Sequence, residues 1–178
     1  MNSIDQEEDE QMYRDTTVTV RRHLTDEVLR VPLEHLALPE VVFVAPDAFL
    51  QDVIVTMREQ RQNAVLVTDP ESGRMLGIFT ERDLLLRVAG RGWNFYAHKI
   101  HEVMTPNPEC VTPKHTAGFA LNKMMVQGYR HLPIVNEDGR AYGMVGARDL
   151  LKYLVEHFPE DVMNQPPDVK PPANRDGG

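Results

Sequence analysis

The stretch "GIFTERDLL" (Gly77–Leu85) returns 66 residues later as "GMVGARDLL" (Gly143–Leu151), with Gly146 in the place of Thr80. Self-similarity at a fixed offset marks a repeated structural unit, and it governs how the surrounding sequence is read. Ahead of the first copy, Leu50, Val53, Ile54 and Met57 fall at i, i+3, i+4 and i+7. That is the apolar stripe of one helix, with Asp47 expected as its N-cap. Ahead of the second copy, Ala117, Ala120, Leu121 and Met124 keep the same spacing at an offset of 67.

The flanking segments match as well. Short β-prone runs, "VVFVAP" (41–46) and "ECVTP" (109–113), precede the two helices, and apolar runs, "AVLVT" (64–68) and "HLPIV" (131–135), follow them. The turns "DPESG" and "NEDG" then lead into "MLGIF" and "AYGMV", and each copy closes on a helix. The order is βαββα, twice over, which predicts an α+β fold. A unit of about 50 residues leaves one face of its sheet apolar and uncovered. Two units packed sheet to sheet with pseudo-twofold symmetry would cover both. Residues 31–90 form the expected first unit, and 91–158 a linker helix and the second. Gly90 and Gly92 are expected to break the first unit's closing helix.

The formal charge of −8 is concentrated at the ends. Residues 1–15 hold six acids against Arg14 alone, and the Pro-rich stretch 159–178 holds four acids against Lys170 and Arg175. An acidic N-terminal arm (1–30), at least partly disordered, and a disordered tail (159–178) are expected, because neither has much to bury. Such a balance argues against a nucleic-acid partner, which demands a broad basic face. No apolar run approaches the roughly 20 residues that span a bilayer, and the acidic start is the reverse of a basic signal-peptide region. The chain therefore reads as cytoplasmic, with no membrane partner. Cys110 is the only cysteine and is read as a small buried hydrophobe rather than part of a disulfide or thiolate site.

The repeat resembles a tandem pair of cystathionine-β-synthase (CBS) domains, a Bateman module. The residues that carry the likeness are "VMTPNPECVTP", "KMMVQGYRHLPIVNEDGRAYG", "GIFTERDLL" and "GMVGARDLL", and it extends over roughly residues 31–158. In that family the cleft between the paired sheets commonly holds AMP, ADP or ATP, and in some members S-adenosylmethionine or NAD. The resemblance implies a regulatory sensor, not a catalyst. It also implies a flat homodimer formed through the helices. Family members usually sit beside an enzyme, channel or transporter domain, so an output through an effector protein in trans, or through self-assembly, is expected here.

By the same resemblance Thr80 and Asp83 hold phosphate and ribose, with Asp149 as the second ribose carboxylate and Arg130 and His131 facing the phosphates. Arg82 and Arg148, beside the two aspartates, come next. Gln62 and Asn63 are read as replacing the basic pair, which would make one side of the cleft cationic. The adenine is expected near Val42 to Val44, Ala64, Val65, Ile78, Cys110 to Thr112, Leu132 and Pro133, with Phe43 and Val111 among them. The local pattern also has a second meaning. Thr-x-x-Asp is the spacing of a capping box, so a ligand-free scaffold in which Thr80 and Asp83 only cap a helix stays open beside the sensor. Gly146 supplies no hydroxyl, so the two sites are expected to be unequal.

Other chemistry is set aside. His98 and His101 stand three apart without an accompanying acid pair or cysteine, a weak basis for a metal site. No Gly-rich phosphate loop, zinc-hydrolase motif or nucleophile–base pair is visible, so neither metal, catalytic cofactor nor enzyme activity is expected.

Overall fold

The computed structural model describes residues 27–157. Most of the expected N-terminal arm and the whole of the expected tail lie outside them. Strands β1 (Phe43–Val44), β2 (Ala64–Thr68), β3 (Met75–Thr80) and β4 (Thr105–Pro106) form one sheet in that order. Strands β5 (His131–Val135) and β6 (Ala141–Gly146) form the second, with Val111 bridging in parallel to Ile134 as Val44 does to Val67. The long helices are Leu50–Glu59 and Ala117–Gln127, and the second closing helix is Ala147–His157. The first closing helix begins as Glu81–Asp83 and continues as a π-helical turn, Leu84–Val88. It ends there, and Gly90 and Gly92 follow at φ of 76° and 64°, as their placement predicted.

Strand alternation sorts the side chains. In β2, Val65 and Val67 face the first repeat's helices together with Leu50, Val53 and Phe79, whereas Ala64 and Leu66 meet Ile78 and Met144 in the seam between the two sheets. The second core gathers Val111, Ala117, Ala120, Leu132, Ile134, Val145 and Leu150. Beyond the seam, the two hairpin turns pair with each other. The Met75 N–H donates to Gly139 O at 3.1 Å and the Ala141 N–H to Gly73 O at 3.0 Å.

The lead-in segments are exchanged. Leu33, ahead of the first repeat, is buried in the second core with Leu36 and Leu38 against it. Ile100 and Val103, ahead of the second, are buried in the first. The hydrogen bonds repeat the exchange with matching geometry. Leu33 N–H donates to His115 O and Ala117 N–H to Val31 O, while Ile100 N–H donates to Ala48 O and Leu50 N–H to His98 O, all at 2.9 Å.

This exchange corrects one expectation. Asp47 does not cap the helix Leu50–Glu59; the N-cap is Phe49, with no side-chain cap. The orphan N–H groups of Leu50 and Gln51 are met by the carbonyls of His98 and Phe95, so the exchanged chain takes the place of a capping side chain. In the second repeat Thr116 caps conventionally, its hydroxyl accepting from the Phe119 N–H.

Candidate functional site

A cavity of about 540 Å³ opens at the ends of the hairpins away from their paired turns. Both repeats furnish it with equivalent positions: Asn63 and Arg130 just ahead of β2 and β5, and Arg82 and Arg148 at the starts of the closing helices. Among the named candidates, Thr80, Asp83, Arg82, Arg130, His131, Arg148, Ile78 and Pro133 line it.

The remaining candidates do not, and strand register explains most of them. Val65 points into the first core, and Leu132 and Val111 into the second. Ala64 is closed in the sheet seam. Val42 packs at the edge of the first core and gives its carbonyl to the Leu66 N–H, while the Phe43 side chain is exposed away from the cavity. The Thr112 N–H donates to His115 Nδ1 at 2.8 Å, and the residue borders a separate groove. Asp149 turns back on its own helix start, Oδ2 accepting from the Gly146 N–H at 2.8 Å. Cys110 is half-buried, its thiol donates to Pro108 O, and burial pushes its pKa up.

Thr80 and Asp83 form the capping box that their spacing allows. The Thr80 hydroxyl accepts from the Asp83 N–H at 3.3 Å, and Asp83 Oδ2 receives the Thr80 N–H at 3.0 Å and its hydroxyl at 2.7 Å. Oδ1 lies 3.4 Å from both Thr105 Oγ1 and Arg87 Nε. The side chain is 13% exposed, so the carboxylate is held at the cavity wall rather than waving in solvent.

The basic pair has other counterparts than Gln62 and Asn63. At the offset of the two strands, Asn63 matches Arg130 and Ala64 matches His131. Nor is one side alone cationic: Arg82 and Arg87 come from the first repeat, Arg130 and Arg148 from the second. Against these four stand Glu81, Asp83 and Glu109, the last paired with Lys123. His131 is held below the ordinary histidine pKa, first by burial and then by the Arg130 charge, with Asp149 and Glu81 pulling the other way. Sequence reasoning missed Arg87, Thr105, Glu81 and Tyr129 as lining residues. Arg87 stands four residues after Asp83, the spacing of an acid–base pair on one helix face, which was the signal available.

His98 and His101 do not converge: His98 Nδ1 meets Glu102 Oε2 and His101 Nδ1 meets Pro46 O, each at 2.8 Å. No group of three or more His, Cys, Asp or Glu among the described residues is arranged to hold a metal ion.

Two βαββα repeats set sheet to sheet around a cleft lined from both halves define a paired α+β repeat protein. The family model for the CBS domain matches residues 33–90 and again 100–156, and the chain belongs to that family as a tandem pair. An uncharacterized 17.7 kDa protein of Acidianus ambivalens is 30% identical over 70% of this chain and 73% of its own. A CBS-domain-containing protein of Agrobacterium tumefaciens is similar in structure, with a TM-score of 0.57 and 34% identity over 64% of this chain and 88% of that one. The CBS domain of a bacterial CNNM/CorC-family Mg2+ transporter, solved in complex with ATP, shares the fold at a TM-score of 0.62 and 21% identity, covering 75% of this chain and 93% of that one.

Proposed function

We propose that the chain is a regulatory module that binds an adenine nucleotide, AMP, ADP or ATP, in the cleft between its repeats. One observation carries the reading. A single cavity brings together a fixed carboxylate, Asp83, and arginines from both repeats, in a protein whose overall charge is −8. Local positive charge in an acidic chain is the chemistry that selects a phosphate, and about 540 Å³ is within the usual size of a small-ligand pocket. Ile78, Pro133 and Tyr129 supply apolar surface for a base. The ATP complex of the transporter CBS domain supports the same ligand class.

Signalling would run through a second copy or an effector protein. Leu85 (69% exposed) and Leu151 (58%), at equivalent places on the closing helices, support a homodimer through that face. Residues 31–90 and 91–158 are the proposed functional halves. We place the protein in the cytoplasm and assign it no catalysis. No helix among the described residues is long and apolar enough to cross a membrane.

The scaffold reading is favoured by the capping box itself, since Asp83 is bonded without any ligand. Thermal unfolding against AMP, ADP, ATP, NAD and S-adenosylmethionine decides between the two. Saturation at about 100 times the dissociation constant adds roughly 2.7 kcal/mol to a binder. Such a shift, smaller in Arg130→Gln for a phosphate-bearing ligand, supports the sensor; no shift at millimolar ligand leaves the scaffold.

A further inference from the structure

The four arginines of the cleft are not equivalent. Arg87 is committed to the protein. Its Nη1 donates to the carbonyls of Val103 at 2.9 Å and Met104 at 2.6 Å, its Nη2 to the Thr105 hydroxyl at 3.0 Å, and its Nε lies 3.4 Å from Asp83 Oδ1. Arg82, Arg130 and Arg148 are exposed, and their side chains make no hydrogen bond or ion pair within the described residues.

Asp83 is half-occupied in a specific way. Thr80 takes Oδ2 with two short bonds, and Oδ1 has only the two 3.4 Å contacts, to Arg87 and Thr105. An ionised carboxylate has about four acceptor positions, and contacts of that length are weak. Oδ1 is therefore the oxygen with capacity for a ligand's hydroxyl pair. Arg87 fixes its direction by tying Asp83 to the backbone at 103–105. The second repeat has no such tie: Tyr153 occupies the matching position and gives its hydroxyl to Val28 O. The Asp149 carboxylate accepts its one hydrogen bond among the described residues from the Gly146 N–H.

We infer that Arg87 positions Asp83 for the ribose hydroxyls of the bound nucleotide, and that the three unpaired arginines, rather than Arg87, meet its phosphates. This deepens the nucleotide-binding reading and rests on it. The first repeat then anchors the sugar, and specificity for phosphate number lies in Arg82, Arg130 and Arg148.

The two roles separate by calorimetry with metal-free ATP and with adenosine, which lacks phosphate. Arg87→Gln is expected to weaken both by the same factor, about tenfold, the effect of one charge-assisted contact. Arg130→Gln and Arg148→Gln are expected to weaken ATP severalfold while leaving adenosine affinity as it was. A loss for ATP several times the loss for adenosine in Arg87→Gln overturns the inference, because Arg87 would then be a phosphate ligand. Unchanged affinity for both overturns it as well. Should Arg87→Gln fail to fold, Thr105→Val removes the hydroxyl shared by Arg87 and Asp83, and the same uniform loss is expected. A wild-type chain that binds neither probe refutes the nucleotide reading, and this inference with it. One that binds both, with a phosphate-dependent Arg87 effect, refutes this inference alone.

Discussion

His131 lies against Gly146 across the β5–β6 pair, with its Cδ2 3.5 Å from where a Cβ on Gly146 would stand. In the first repeat the same cross-strand pair is Ala64 with Thr80. One repeat sets small beside medium, the other large beside nothing. The hydroxyl lost at position 146 is thus exchanged for an imidazole one strand away.

Gly146→Thr is expected to destabilise by about 1–3 kcal/mol, as overpacking does, because the new Cβ also comes within 3.0 Å of Asp149 Oδ2. Combined with His131→Ala, which recreates the first repeat's pair, the part of that cost owed to the threonine's outer atoms meeting the ring should return, while the part owed to the 3.0 Å approach to Asp149 should stay. Urea unfolding of both single variants and the double variant closes the cycle. Simple additivity would refute the packing argument.

The lowered pKa of His131 makes stability depend on pH. Above its ordinary value of 6.5 the imidazole is neutral in both folded and unfolded chains. Below that, the unfolded chain takes up the proton first, so stability falls as pH drops through 6.5 toward the lower folded value. Wild type should lose more stability between pH 7 and pH 5 than His131→Gln. Equal losses would mean that the folded chain does not lower the pKa of the ring.

Arg61 follows the helix Leu50–Glu59 at φ 53°, where the second repeat has Gly128 at φ 71°. Its N–H donates to Arg58 O and the Gln62 N–H to Met57 O, the bond pair of a helix-ending Schellman motif. A side chain there costs on the order of 1 kcal/mol in the left-handed region. Arg61→Gly should raise the melting midpoint by a few degrees; a fall would show that chain entropy outweighs strain.

The exchanged lead-ins predict crossed effects. Leu33→Ala should cost about 2–5 kcal/mol and Ile100→Ala a similar amount, since both side chains are fully enclosed. Hydrogen exchange should quicken mainly at Leu132 and Ile134 in the first variant and at Val65 to Val67 in the second. Each truncation loosening its own sequence repeat instead would contradict the exchange.

Much of this was legible because helix periodicity survives translation. The stripes at 50–57 and 117–124 fixed two helices and their common offset, and the turns fixed the hairpins. Partnership of the lead-ins was not legible, since the 67-residue offset is the same whether Leu33 packs in its own repeat or in the other. Facing direction failed for a related reason. Val65 and Ala64, or Leu132 and Pro133, differ by one residue, and in a strand that residue is the difference between a repeat's own core and the face turned to the seam, for Ala64, or to the cleft, for Pro133. Asp83 was found by its motif, Arg87 was not, because the π-helical turn and the carbonyls of 103 and 104 that engage it come from outside the motif.

Crossed lead-ins also bear on assembly. A lone repeat would leave the berth for Leu33 or Ile100 empty and its own lead-in without a host. Two identical copies would cure both defects by trading arms. The chain has the build of such a reciprocal dimer joined end to end by residues 89–99, so that a partnership that concentration would govern between two copies is here a property of one polypeptide. Within one polypeptide the halves need not be identical, and at this strand pair one holds alanine with threonine, the other histidine with glycine.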